Sequence, residues 1–162
     1  MKLLKISLLL IIFLFVSCKS SNEDIITPPK VKGIFSISQV NGFGNMASPG
    51  SDIWHLRLWV TNDGSVAGQI TSVIFKIWSG STLICEINDG NYSNFYLKIS
   101  ADDRQLGVGG MGSVEYSNND SGHLPQWATI PNIVEVISNI TDENGYTHEL
   151  RGTGEFYVVD QR

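Results

Sequence analysis

The chain is short of the residues that carry most chemistry. Its 162 residues include only two cysteines and three histidines. His55, His123 and His148 do not show the spacing of a metal-ligand set. No serine stands in a GxSxG turn. The glycine cluster from Gly107 to Gly112 lacks the lysine and the following helix of a phosphate loop. Positive charge is scarce as well, with 11 basic residues against 16 acidic ones. That balance argues against nucleic acid, which demands a basic patch, and against adsorption to anionic lipid by charge. Two acidic pairs, Asp102-Asp103 and Asp142-Glu143, have the chemistry of glycosidase carboxylates. They also sit where turns want solvated residues, and an enzyme is not expected. Asp and Asn crowd the turns, but no DxDxDG run with a distal Glu occurs, so neither a metal nor a cofactor is expected.

Long apolar runs are nearly absent too. The one that exists, Ile6 to Val16, is broken only by Ser7 and covers about half of the ~20 residues a helix needs to cross a bilayer. It follows Met1-Lys2-Leu3-Leu4-Lys5, a basic lead, and has no basic stop-transfer cluster behind it. This is the plan of a secretory signal. The segment Leu14-Phe15-Val16-Ser17-Cys18 resembles the lipobox of bacterial lipoproteins, where a small residue precedes an invariant cysteine. The resemblance implies cleavage after Ser17, diacylation of the Cys18 thiol and acylation of the new amino group. Phe15 departs from the aliphatic residue usual three places before the cysteine. One acyl chain anchors marginally, at roughly 0.8 kcal/mol per buried methylene, whereas several chains make attachment effectively permanent.

Residues 1–17 therefore read as signal peptide and 18–31 as lipidated cysteine and tether, leaving 32–162 as a single domain. The tether is polar and carries Pro28-Pro29, which favour an extended chain. Its Ser20-Ser21-Asn22-Glu23-Asp24 is similar to the Ser/acidic signal that directs some lipoproteins of the Bacteroidota to the cell surface. Lys2 and Lys5 leave with the signal, so 11 basic residues become 9 against 16 acids, a net charge of −7. The expected location is the bacterial cell envelope, on the outer membrane, with the side left open. With Cys18 given to lipid, Cys85 has no intrachain partner. It is in phase with Leu83 and Ile87 and reads as a small core hydrophobe.

Helical periodicity is missing from the domain. Short alternating runs separated by Asn, Asp and Gly replace it, which predicts an all-β chain. Eight strands are expected near 33–40, 53–61, 70–78, 82–87, 94–100, 105–116, 132–140 and 147–159. Trp54, Leu56, Leu58 and Val60 mark the inner face of the second. Val73, Phe75 and Ile77 mark the third, Phe95, Leu97 and Ile99 the fifth, and Val134, Val136 and Ile140 the seventh. Asn62-Asp63-Gly64, Asn88-Asp89-Gly90-Asn91 and Asp142-Glu143-Asn144-Gly145 supply turn residues. Glycines at 107, 109, 110 and 112, and at 152 and 154, suggest bulges or close backbone approaches.

The run from Trp54 through Val60-Thr61-Asn62-Asp63-Gly64 to Ile77 resembles the second and third strands of bacterial immunoglobulin-like domains. Ile140 to Val159 looks like their final hairpin. The resemblance implies a two-sheet sandwich of about 7–8 antiparallel strands, with a small antiparallel barrel as the alternative. If successive strands reverse, loops near 62–69, 88–93 and 117–131 share one end of the domain. Loops 41–52, 101–104 and 142–145 share the other. The first end would gather Asn88, Asp89, Asp120, His123 and Trp127 as candidate binding residues, with Trp127, or Trp59 and Trp78, as a platform for a sugar ring. The functional expectation is a lipid-anchored, non-catalytic recognition module for glycan or protein. A structural or accessory subunit of an envelope complex is the alternative.

Overall fold

The structure, a computed structural model, describes residues 29–46, 53–89, 98–117 and 131–160. Cys18 and the whole signal and tether up to residue 28 lie outside the described residues. The fold is all-β. Its strands are β1 (Phe35–Met46), β2 (Ile53–Asn62), β3 (Gly68–Ser79), β4 (Thr82–Asn88), β5 (Lys98–Asp103), β6 (Gln105–Leu106), β7 (Met111–Ser117), β8 (Ile133–Asp142) and β9 (Thr147–Asp160). No helix among the described residues is long and apolar enough to cross a membrane.

Hydrogen bonding links the strands in the order β4-β3-β8-β9-β1-β2-β7-β5, with the short β6 on β3. All pairs are antiparallel except β1 with β9, which run parallel over Gly42–Met46 and Phe156–Asp160. The sheet is therefore mixed, where purely antiparallel pairing was expected. It also curls. The ring centroids of Phe75 on β3 and Tyr116 on β7 are 5.8 Å apart, although four strands separate their own in the hydrogen-bonded order. The inner faces meet in one core, built on Trp54, Leu56, Leu58 and Val60 from β2, Val73, Phe75 and Ile77 from β3, and Val134, Val136 and Ile140 from β8. These are the residues that two-residue periodicity selects, because alternate side chains of a strand leave on opposite faces.

Three local expectations change. The strand expected at 105–116 divides, because Gly107–Gly110 form a turn closed by Gly110 N–H donating to the Gly107 carbonyl at 2.8 Å. Gly109 takes φ +68°, a conformation that side chains resist. The two halves then pair with different strands, β6 with β3 and β7 with β2. Leu83 points out, 42% exposed, because the β3–β4 register slips between Cys85 and Leu83 and a one-residue slip reverses the face. Ile99 shares its side with Tyr116 but stands on the edge strand and remains 38% exposed; Phe95 and Leu97 lie outside the described residues.

The two ends of the domain also differ from strict alternation. β4 and β5 run in the same direction, because of the seven pairings along the path six are antiparallel and one, β1 with β9, is parallel. The 142–145 turn thus stands beside the 62–67 connection, where Glu143 N–H donates to the Ala67 carbonyl at 2.9 Å. The segment after Ser117 leaves from the opposite end, beside His55. Residues 29–34 enter at the first end, with Asp63 N–H bonded to the Ile34 carbonyl at 2.8 Å. We call this the entry end and the other the far end.

Candidate functional site

The most chemically varied surface spans β9, β1 and β2 towards the far end. In β1 the stretch Asn41-Gly42-Phe43-Gly44-Asn45 alternates small inward positions with larger outward ones. At Gly42 and Gly44 the inward side has little room for a β1 side chain, because Phe156 of β9 lies there. A Cβ at Gly42 would collide with the Phe156 ring. Phe156 in turn packs on Trp54, ring centroids 5.3 Å apart. With Phe156 filling the inside, its neighbour Tyr157 must face outward, and it is 63% exposed. Phe43 pairs with His55 on β2 and with Tyr157 on β9, so the three rings form a row across three strands. Phe43 stacks on Tyr157 at 6.1 Å and 22°, and is tilted to His55 at 6.4 Å.

A charged row lies next to the aromatic one. Arg57 pairs with Glu115 across β2 and β7, and its Nε donates to the carboxylate at 2.6 Å. His55 Nδ1 meets the other oxygen at 3.2 Å. Burial alone would raise the Glu115 pKa, but the hydrogen bond and charge of Arg57, helped by His55, outweigh it and hold the carboxyl below its usual range. The two rows enclose a depression of about 360 Å³ lined by Asn41, Gly42, Phe43, His55, Arg57, Glu155 and Tyr157. Ring faces on its floor can stack against a flat, weakly polar surface, and its rim offers amide, guanidinium, imidazole and carboxylate groups for hydrogen bonds.

The residues singled out from sequence do not gather here. Asp120, His123 and Trp127 lie outside the described residues. Asn88 ends β4, paired with Ile74. Asp89 serves the interior: the two terminal guanidinium nitrogens of Arg104 donate to it at 3.0 Å, Val73 N–H donates at 3.0 Å, and the buried Tyr116 hydroxyl donates as well. Burial pushes its pKa up, yet Arg104 and Tyr116 hold it below the ordinary value. Asp102 and Asp142, from the two acidic pairs, are also committed to partners within the domain. Asp102 pairs with Arg104. Asp142 accepts from Gly33, Asn144 and Tyr146 N–H groups and from His148. Despite burial, those bonds lower its pKa to about 2. Trp78 Nε1 donates to Glu135 at 3.2 Å. Cys85 packs against the core, and burial pushes its thiol up to about 12. Among the described residues no group of three His, Cys, Asp or Glu side chains could hold a metal ion.

Glu115, Asp89 and Asp142 all have lower pKa values in the folded chain than when unfolded, so folding favours their ionised forms. Their contribution to stability should be complete above about pH 5, just above the unfolded carboxyl values. It should disappear as pH falls through the folded values, which for Asp142 reach about 2. Urea midpoints measured from pH 8 to 2 should therefore be flat to about 5 and then drop. Asp142→Asn should flatten part of that drop, and an unchanged profile would contradict the assignment.

Sequence reasoning missed Phe43, Arg57, Glu155 and Tyr157 as a site because 41–52 read as a loop. The available signal was alternation: Asn41, Phe43 and Asn45 against two glycines, and Tyr157 between Phe156 and Val158.

No family model and no curated protein matches the chain. Among solved structures, it is similar to an ApaA protein from Bordetella pertussis, at 15% identity over 80% of this chain and 98% of that one, TM-score 0.49. It is similar to murine CRIg at 11% identity over 79% and 100%, TM-score 0.45. It is also similar to the seventh PapD-like domain of human CEP192, at 14% identity over 85% and 95%, TM-score 0.44.

Proposed function

We propose that this chain is a lipid-anchored envelope protein whose domain is an immunoglobulin-like sandwich acting as a non-catalytic recognition module, with the Phe43–Tyr157 face as its glycan-binding surface. The strand order supports the sandwich. The run β1-β2-β7-β5 matches the A-B-E-D sheet of such domains, and β4-β3-β8-β9 matches C′-C-F-G. In this reading the parallel β1–β9 seam is where the first strand passes from one sheet to the other. Anchorage rests on the basic lead, the short apolar run and the lipobox ending at Cys18.

The observation that carries the glycan reading is the exposed Tyr157 ring stacked on the half-buried Phe43 and flanked by planar hydrogen-bonding groups. Sugar rings present apolar C–H faces and a rim of hydroxyls, and this surface offers the complement of both. Arg57 is already neutralised by Glu115, and Glu155 adds negative charge to the rim, so neutral sugars suit the site better than acidic ones. Binding of neutral oligosaccharides, measured by glycan array and calorimetry, tests the reading. Tyr157→Ala should weaken binding about tenfold or more, equivalent to ~1.4 kcal/mol. Its melting temperature should stay close to that of the unaltered protein, because Tyr157 is mostly exposed. Undiminished affinity in that variant would remove this face from consideration.

A second reading, an accessory subunit of an envelope complex, has one observation in its favour. Exposed apolar residues collect at the entry end, away from the aromatic face.

A further inference from the structure

Seven large hydrophobic side chains are exposed among the described residues, and four of them, Val31, Ile34, Val108 and Met111, belong to the entry end. Several contacts hold that end together. Met111 pairs with Thr61, Asn62 N–H donates to the Gly110 carbonyl at 2.9 Å, and Gly64 lies directly against Ile34. The Asn144 amide donates to the Val31 carbonyl at 2.8 Å. A depression of about 460 Å³ runs beside Val108 and Met111. The flanking charge is of both signs, with Lys30 and Lys32 against Asp63 and Glu143, so this is an apolar surface rather than an electrostatic one.

We propose that this end docks on the lipid bilayer, with Val108 and Met111 at the interface and the domain standing upright on it. The inference rests on the anchorage of Cys18 proposed above. Its independent support is the place where the chain enters. Ten residues lie between Cys18 and Pro29, so the path is eleven residue steps, and at ~3.3–3.6 Å per step a fully extended chain spans at most about 40 Å. The apolar end is therefore the part of the domain held nearest the lipid. An aliphatic patch this small would hold an untethered protein poorly. Tethering makes its contact with the bilayer intramolecular, at an effective concentration in the millimolar range for a short linker, so weak insertion suffices. Val108 sits in the tight Gly107–Gly110 turn, a projecting shape suited to the headgroup boundary rather than to enclosing a peptide. The orientation also serves recognition. At about 3.3 Å per residue along β2, the row holding His55 lies roughly 20 Å above the level of Asn62, on the side of the sheet and clear of the membrane.

The test uses the full lipoprotein in vesicles of phosphatidylcholine and phosphatidylglycerol. V108C and L83C are each labelled with an environment-sensitive fluorophore. Cys85 is shielded by burial and its raised pKa, and Cys18 is blocked by lipid, so the introduced thiol takes the label; the unaltered protein serves as the blank. Vesicle flotation reports the anchor, and quenching by spin-labelled lipid reports docking. Docking predicts a blue shift and loss of intensity at 108, with neither at 83, where Leu83 pairs with Trp78 at the far end. Flotation with position 108 no more quenched than 83 would overturn docking while leaving the anchor intact. A blue shift at 108 without lipid quenching would mean that a second copy, the tether or another protein covers the patch, and would also overturn it. Failure to float would remove the anchor and the docking together.

Discussion

Gly154→Ala should cost the domain about 3 kcal/mol or more and lower its melting temperature by roughly 10 °C. Most small substitutions in a strand are far milder, and the size of this one comes from backbone rather than side chains. At Gly154 the backbone of β1 passes against the side of β9 that carries Phe156. A Cβ there would collide with the Val40 carbonyl oxygen and lie 2.6 Å from its carbon. Neither strand can give way easily. Val40 is paired with Leu58 on β2, and Gly154 with Val134 on β8. Neighbouring glycines set the scale. At Gly152 the nearest atom is the terminal Cδ1 of Ile37, 3.0 Å away, which can rotate aside, so Gly152→Ala should cost less. At Gly107 nothing lies within 4 Å, and Gly107→Ala should be close to neutral. Thermal unfolding of the three variants checks the ranking. A Gly154→Ala protein melting with the unaltered one would mean that β1 does not cross β9 as described.

Cys18→Ala should abolish lipid labelling and release the domain from membranes, or leave the precursor uncut. The effect is close to all-or-none because each buried methylene adds roughly 0.8 kcal/mol, so several chains on one residue bind far more tightly than any surface patch. The apolar entry end does not substitute for them: docking gains from the tether, and without it the patch faces bulk water at ordinary concentration. Fractionation with radiolabelled or alkyne-tagged fatty acid separates the outcomes. Lipid labelling that survives Cys18→Ala, or membrane attachment of a cut chain that carries no lipid, would refute the anchor. Release of a domain that keeps its sugar affinity would show recognition and anchorage to be separate properties of the two ends.

How legible each part was follows from the range of the interaction that made it. The inner faces of β2, β3 and β8 could be read directly, because alternation is a local property and burial selects one face. Turns at Asn62-Asp63-Gly64 and Asp142–Gly145 were legible for the same reason: their geometry is satisfied within a few residues, as when the Asn62 side chain accepts from Gly64 N–H at 3.0 Å. Asp89 read as a candidate binding residue, but residue type alone does not tell a ligand-seeking carboxylate from one committed to Arg104 and Tyr116. The end assignments failed because they assumed that every connection is a hairpin, whereas the chain crosses from one edge of the path to the other between β4 and β5.

The sequence by itself determined the all-β class, the core faces, most turns and the expectation of an anchor at Cys18, all of which depend on composition or on neighbours a few residues apart. Tertiary structure alone decided the aromatic face and the entry end. Phe43 and Tyr157 meet only because the first strand pairs in parallel with the last, over a hundred residues away in sequence. Val31, Ile34, Val108 and Met111 share an end only because β1, β2 and β7 align in register. Hydrogen-bond register between distant strands is set by how their buried faces fit together, and no local pattern records it.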